Sequence, residues 1–128
     1  MSSDLQKDVL KLTEYYKKLL EATISIEEFW KILFPFVNEL LNGQNYRAQR
    51  EKIGQVNIDS LSRLLINLRD KKQSYDENKD IGNSQQARID ERLFVSTSRN
   101  ILEKLESLNV FFKNNENNSI KINLNSLI

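Results

Sequence analysis

Apolar residues return every three or four positions along most of this chain, and this spacing constrains the fold more than any other feature of the sequence. Residues three and four apart lie on one face of an α-helix, so each such run predicts a helix with one buried stripe. The predicted stripes are Leu5, Val9, Leu12, Tyr16 and Leu19; Ile26, Trp30, Leu33, Val37 and Leu40; Ile58, Leu61, Leu65 and Leu68; and Phe94, Ile101, Leu105 and Leu108. We therefore expect an all-α, four-helix-bundle-like fold.

Residues that favour turns are scarce, which supports the same fold class. The chain has three glycines and one proline among 128 residues, and a β-sandwich of that length would need many more. Ser25 and Glu28 have the spacing of a capping box and predict the start of the second helix, which Gly43 is placed to end. Pro35 lies inside that helix and predicts a kink, because proline removes one backbone hydrogen bond.

The remaining segments predict connections and ends. The polar stretch between Gly43 and Gly54 predicts a short helix or an ordered connection, after which Asn57 or Asp59 can cap the third helix. Residues 73–86 are almost free of apolar side chains, so we expect a flexible loop there, followed by a fourth helix.

A chain of this length has room for one hydrophobic core, so we predict a single domain over residues 1–128. Its helical bundle should cover residues 1–108. Residues 109–128 predict either a short β-hairpin or a flexible tail, because the apolar groups 110–112 and 120–124 flank an asparagine-rich tract and the second group alternates with polar residues.

Histidine and cysteine are both absent from the chain. The most common metal ligands, the usual acid–base group at neutral pH and the standard nucleophile pairings are therefore missing. Carboxylates are paired at 27–28 and 90–91, but adjacent residues of a helix do not face each other across a cleft. These pairs suit the first turns of helices, where the helix dipole favours negative charge, or a solvated face. We predict no enzymatic activity, no cofactor and no metal.

The N-terminus lacks the form of a secretory signal, because acidic residues occur within its first few positions and no continuous apolar stretch follows. The most hydrophobic stretch, residues 29–37, contains Lys31 and Pro35 and is far shorter than the roughly 20 residues that span a bilayer. We predict no membrane span. The absence of cysteine fits an intracellular protein, in the cytoplasm or the nucleus.

The second helix is unusually rich in aromatic residues: Phe29, Trp30, Phe34 and Phe36. One helix cannot bury all of these rings against one neighbour. The run is either the centre of the core or, together with the Leu64–Leu68 cluster, part of a surface for a protein partner or a second copy. The leading prediction is a non-catalytic protein-interaction module, a small subunit or adaptor of a multiprotein assembly.

Seven basic residues lead to an alternative prediction: Arg47, Arg50, Lys52, Arg63, Arg69, Lys71 and Lys72. Three acidic residues in the same segment leave a local excess of four positive charges, whereas the whole chain carries a net charge of +1. Such a stretch predicts phosphate binding if its cations share one face, and a solvated helix surface if they do not. The alternative function is therefore a helical subunit that associates with nucleic acid.

Overall fold

The structure, a computed structural model, describes residues 2–113 of the chain, and side chains within residues 5–109. Four helices cover this range: α1 (Ser2–Leu20), α2 (Ile26–Asn42), α3 (Arg47–Asp80) and α4 (Ser84–Lys113). No strand occurs among the described residues. The all-α fold class is confirmed.

The helices follow one another around a ring. α3 and α4 form the most extensive contact, while α1 packs against α4, α2 against α3, and α1 against α2. The connections between consecutive helices are three to five residues long. Connections this short make consecutive helices run antiparallel, so the arrangement is an up-down-up-down helical bundle.

One apolar stripe from each helix contributes to the core. The buried apolar residues are Leu5, Val9, Leu12 and Leu19; Ile26, Phe29, Leu33, Val37, Leu40 and Leu41; Ile53, Leu61, Leu65 and Leu68; and Phe94, Ile101, Leu102, Leu105 and Leu108. Tyr16, Trp30 and Ile58 belong to the predicted stripes but are only half-buried. For Tyr16 the reason is its polar end, since the hydroxyl donates a hydrogen bond to the carbonyl of Val95 at 3.3 Å.

The second helix begins and ends where the sequence predicts. The Ser25 hydroxyl accepts a hydrogen bond from the amide of Glu28 at 3.1 Å, and the Glu28 carboxylate accepts one from the amide of Ser25 at 2.9 Å. The capping box is confirmed, and α2 ends immediately before Gly43. Pro35 is exposed, and α2 continues through it as one helix. The kink at Pro35 remains a prediction.

α3 contains a break at Gly54, whose backbone has φ 82° and ψ 162°. This region of backbone space is open to glycine and strained for other residues. The break divides α3 into a short first part, residues 47–53, and a long second part, residues 55–80, so the short helix predicted before Gly54 is present. Neither Asn57 nor Asp59 starts the third helix, because both lie inside its second part.

The flexible loop predicted for residues 73–86 is wrong. α3 continues to Asp80 and α4 begins at Ser84, so only residues 81–83 connect them. In residues 73–86, a lack of apolar side chains therefore does not mean a lack of helix. The structure instead keeps both helices regular up to a tight turn.

Gly82 and Asn83 form the turn between α3 and α4, and both residue types favour turns. Gly82 has φ 79°, in the left-handed region. Its amide donates to the carbonyl of Lys79 at 3.2 Å, and the amide of Asn83 donates to the carbonyl of Asn78 at 2.8 Å, which together form a Schellman motif. The Asn83 side chain then accepts a hydrogen bond from the amide of Gln86 at 3.2 Å and caps α4.

α3 and α4 extend beyond the other two helices at this turn. α2 begins beside Lys72, whose ammonium group lies 2.6 Å from the Glu27 carboxylate, so residues 73–80 lie past the start of α2. Leu20, at the end of α1, lines the same groove as Glu91, so residues 84–90 lie past the end of α1. At 1.5 Å per residue this extension is about 12 Å long. We call residues 73–90 the tip, and the remaining described residues the body.

The C-terminal hairpin was predicted to begin with residues 110–112, and this part of the prediction is wrong because α4 continues to Lys113. The helical bundle therefore extends beyond its predicted end at residue 108. The second half of the predicted hairpin, residues 120–124, lies outside the described residues.

Candidate interaction surfaces

The aromatic residues of α2 lie in three different environments. Phe29 is fully buried in the core. Trp30 and Phe34 are half-buried, and their ring centroids are 4.8 Å apart. Phe36 is also half-buried, and its ring contacts that of Tyr46 with centroids 5.7 Å apart. The structure thus brings Trp30 and Phe34 together but does not assemble all four predicted residues into one patch.

Helical geometry explains why the rings separate. Trp30 and Phe34 follow Glu27 on the side of α2 that faces α3, where Glu27 pairs with a lysine of α3. Phe36 lies about 160° around the helix from Phe34. On that side Tyr46 donates a hydrogen bond to the carboxylate of Asp8 in α1. Phe36 therefore lies on a different side of α2 from Trp30 and Phe34, and its ring packs against Tyr46.

The register of α2 and α3 brings an exposed aliphatic residue close to the Trp30–Phe34 pair. Two points mark this antiparallel register: Glu27 pairs with Lys72, and Leu41 and Ile58 line one cavity. Between these points Phe34 lies level with Leu65, so Ile66 lies within about one turn of it. Ile66 is 47% exposed. We call Trp30, Phe34 and Ile66 the α2–α3 surface.

A second candidate surface is a groove between α1 and α4, with a cavity volume of about 840 Å³. Its floor includes Tyr16, Leu20 and Val95, and Leu20 is 59% exposed. Burial raises the pKa of the Tyr16 hydroxyl above its ordinary value, so this group remains neutral. Lys17 and Arg92 lie at the rim, one on each helix, and neither forms an ion pair with another described residue.

Sequence reasoning missed this groove because three of its α1 residues, Thr13, Lys17 and Leu20, fall outside the predicted α1 stripe. The signal was present as a second series on the same helix, Leu10, Thr13, Lys17 and Leu20, with spacings of three, four and three. Two apolar residues among four positions did not distinguish this series from an ordinary solvated face. Its position beside α4 became apparent only in the folded structure.

The basic residues before Gly54 do not all point to solvent. Arg47 and Lys52 are exposed, and Arg47 lies beside Glu51 at 3.8 Å. Arg50 is half-buried, and its guanidinium donates a hydrogen bond to the carbonyl of Leu40 at 2.9 Å. Arg50 therefore links α3 to the end of α2.

The four basic residues after the break also diverge. Arg63 and Arg69 are both exposed, but six helical residues place them about 120° apart around α3. Lys71 is half-buried and Lys72 is buried. The seven cations of the predicted stretch thus share no single face in the structure.

Lys72 is 6% exposed and lies between two carboxylates. Its ammonium nitrogen is 2.6 Å from Glu27 and 2.5 Å from Asp76. Burial alone would lower the pKa of Lys72, but the hydrogen bonds to Asp76 and Glu27 outweigh burial and raise that pKa. The same contact lowers the pKa of Glu27. Lys72 is therefore a charged residue that holds α2 against α3.

Asp90 is 4% exposed and joins α3 to α4 inside the tip. Its carboxylate accepts hydrogen bonds from Ser74 at 2.7 Å, Asn78 at 3.0 Å and Gln86 at 3.2 Å. Burial alone would raise the pKa of Asp90, but these hydrogen bonds lower it below its ordinary value. The sequence placed Asp90 in an early turn of the fourth helix or on its solvated face, and the solvated position is wrong.

Comparison with known proteins gave no match: no family model, no curated protein and no solved structure is significantly similar to this chain. No group of three or more acidic side chains that could hold a metal ion occurs among the described residues. No helix in the described range is both long and apolar enough to cross a membrane.

Proposed function

We propose that this chain is a non-catalytic protein-interaction module, a small subunit or adaptor that binds a partner protein through the α2–α3 surface. The observation that supports this proposal is the half-buried Trp30–Phe34 pair on α2, with the exposed Ile66 at about the same level along α3. Aromatic residues are enriched at the centres of protein interfaces, where a few of them supply most of the binding energy.

The buried charged residues support a non-catalytic role. Asp90 uses both carboxylate oxygens for hydrogen bonds from other side chains. Lys72 is held between Glu27 and Asp76. These contacts join helices to one another, so both charged groups are already engaged in holding the fold together.

One version of the proposal has a second copy of the chain as the partner. Arg63 and Asp70 flank Ile66 on α3 at three and four residues, and neither forms an ion pair with a described residue. Two α3 helices that meet antiparallel around a twofold axis would place each Arg63 beside the partner copy's Asp70. This pairing makes the face self-complementary in charge as well as apolar at its centre.

The single tryptophan of the chain provides a direct test. On self-association, Trp30 emission should move to shorter wavelength as concentration rises, and light scattering should show twice the monomer mass. Ile66→Glu should abolish both changes because it places a charge at the centre of the interface. Val56→Glu is the matched control, since Val56 is an exposed apolar residue of the same helix and lies outside this surface.

A different partner protein calls for a second measurement. Proteins that co-purify with the wild-type chain from its native cell should be lost with Ile66→Glu and retained with Val56→Glu. Equal recovery with both variants would show that binding uses another surface. A monomer at every concentration, together with unchanged Trp30 emission, would remove the self-association version.

The alternative function, nucleic-acid association through residues 47–72, has weaker support because Arg50 and Lys72 are held in contacts between helices. Its test is a binding measurement at low and high salt, since affinity based on phosphate contacts falls steeply as salt rises. Arg63→Glu with Arg69→Glu should weaken such binding, and no binding at low salt would end the alternative.

A further inference from the structure

α1 carries an exposed apolar series in addition to its buried stripe. Leu10 is 64% exposed and Leu20 is 59% exposed. With Thr13 and Lys17 they form one row along the helix, because their spacings are three, four and three residues. Thr13, Lys17 and Leu20 line the groove beside α4, so this row follows that groove.

The α4 side of the groove supplies more cations than acids. Arg92, Val95 and Arg99 line it at spacings of three and four residues, and Glu91 is the one acidic residue in the lining. Arg99 lies near Glu103 at 3.3 Å, whereas Arg92 has no ion-pair partner among the described residues. Lys17 has none either, so the groove lining includes one such cation from each helix.

We propose that the groove between α1 and α4 binds an amphipathic helix of a partner protein, with aliphatic residues over Leu20 and Val95 and with acidic residues beside Lys17 and Arg92. This site is separate from the α2–α3 surface and does not depend on it. The distance from Leu10 to Leu20 is about 15 Å along the helix, so the bound segment has about three turns. Two helices with an apolar groove between them are a common receptor for such a segment.

The charge and the apolar residues of the groove favour an acidic amphipathic helix over a nucleic acid and over the chain's own residues 114–128. A nucleic acid backbone would meet Lys17 and Arg92 but would leave the exposed Leu10 and Leu20 without an apolar partner. The chain's own residues 114–128 contain one acidic and one basic residue, so they do not supply acidic flanks. A partner helix with glutamate or aspartate on both sides of a leucine row satisfies both features of the groove.

The test uses the full chain, isotope-labelled, and two synthetic helical peptides of about twelve residues. Both peptides have leucine at every third or fourth position, and they carry either glutamate or lysine at the flanking positions. The glutamate peptide should shift the amide signals of residues 10–20 and 91–99. It should bind roughly three- to tenfold more tightly than the lysine peptide, and this preference should shrink as salt rises.

Two sets of variants separate charge complementarity from general attraction. Lys17→Glu with Arg92→Glu should reverse the preference between the peptides, because the rim then repels glutamate. Lys11→Glu with Lys79→Glu changes the net charge equally at exposed residues outside the groove lining and should leave the preference intact. Leu20→Ala should weaken binding of both peptides by about threefold or more without changing their ratio.

Three results would overturn the proposal. These are equal binding of the two peptides, a preference that survives the reversal of Lys17 and Arg92, and signal shifts that fall outside the groove. A single-stranded oligonucleotide that shifts the groove signals more strongly than the glutamate peptide would assign the site to nucleic acid instead. Failure of the α2–α3 surface in its own tests would leave these outcomes unaffected.

Discussion

The body and the tip are both helical, but different interactions hold them together. In the body, apolar stripes of four helices meet, and residues such as Phe29 and Leu33 are fully buried. In the tip only two helices face each other, and Ala87 and Asp90 are the residues of 73–90 that are buried. Hydrophobic burial therefore stabilises the body, whereas a buried carboxylate with three hydrogen bonds joins the two helices of the tip.

This difference shows that the apolar pattern of a helix reports how many neighbouring helices cover it. A helix that is covered by several neighbours must bury a wide stripe, but a helix with one neighbour buries a narrow one. The tip can therefore be helical with almost no apolar residues, provided that its buried polar groups are paired. Local pairs such as Gln73 with Glu77, at 3.3 Å, add support along the helix surface.

The largest expected effect lies in the body. Phe94 is fully buried, and its ring centroid lies 6.3 Å from those of both Phe29 and Trp30. Phe94→Ala should lower the free energy of unfolding by about 3–5 kcal/mol, because it removes a buried ring and leaves a cavity. Urea denaturation followed by circular dichroism measures this change. The neighbouring exposed Leu93→Ala should cost below about 1 kcal/mol, and similar losses for both would contradict the described core.

The second prediction concerns the tip alone. Asp90→Asn removes the charge and replaces one acceptor oxygen with an amide NH2 group, which leaves donors such as Ser74 and Asn78 without that acceptor, so it should destabilise the tip by about 2–3 kcal/mol. Amide hydrogen exchange should accelerate by roughly thirtyfold or more within residues 73–90 and remain unchanged at body amides that exchange while the tip stays closed. The exposed neighbour variant Glu91→Gln is the control. Equal acceleration in body and tip would show that the two regions open as one unit.

The same carboxylate predicts a dependence on pH. The pKa of Asp90 is lower in the folded protein than the unfolded value of about 3.9, so the carboxylate contributes stability above that unfolded value. This contribution should disappear as pH falls through the lowered pKa. The difference in tip exchange between wild type and Asp90→Asn should therefore be largest near neutral pH and shrink in strong acid. A difference that stays constant down to the lowest pH would contradict the role of the charge.

Much of the fold follows from the sequence because its signals are local. The capping box at Ser25, the end of α2 at Gly43 and the apolar stripes all depend on residues within a few positions of one another. The tip was not predicted, because Asp90 reaches Ser74 across 16 residues and only the folded hairpin brings them together. Gly82 and Asn83 favour a turn by their residue types, but the length of helix on each side of them depends on the contacts between α3 and α4.

The candidate surfaces show the same limit. The sequence identifies α2 as aromatic, and the helical repeat alone places Phe36 on another side from Trp30 and Phe34, but the ring that each one packs against becomes apparent only in the folded structure. The basic stretch is also a local feature, and its cations diverge because a glycine break and the helical repeat direct them apart. In the groove, Lys17 and Arg92 lie 75 residues apart in the sequence, and only the contact between α1 and α4 brings them to one rim.

The smallest predicted effect compares two turns that share one motif. In the body, the amide of Ala22 donates to Leu19 at 3.1 Å and the amide of Thr23 donates to Lys18 at 2.9 Å, which repeats the Schellman motif of the tip. Ala22 has φ 60° in the position that Gly82 occupies in the tip. An alanine in this left-handed conformation is strained, whereas a glycine is not.

Ala22→Gly should therefore raise the free energy of unfolding of the whole protein by about 0.5–1 kcal/mol. Gly82→Ala should cost a similar amount, and the cost should come from the backbone alone because an added Cβ meets no atom within 4 Å. If the tip opens at a lower urea concentration than the body, Gly82→Ala should speed hydrogen exchange in residues 73–90 and leave the urea midpoint of the body almost unchanged, because the body then unfolds from a state whose tip is already open. If Gly82→Ala lowers the urea midpoint as much as Ala22→Gly raises it, the body and the tip unfold together. The two regions would then differ in residue composition but not in stability.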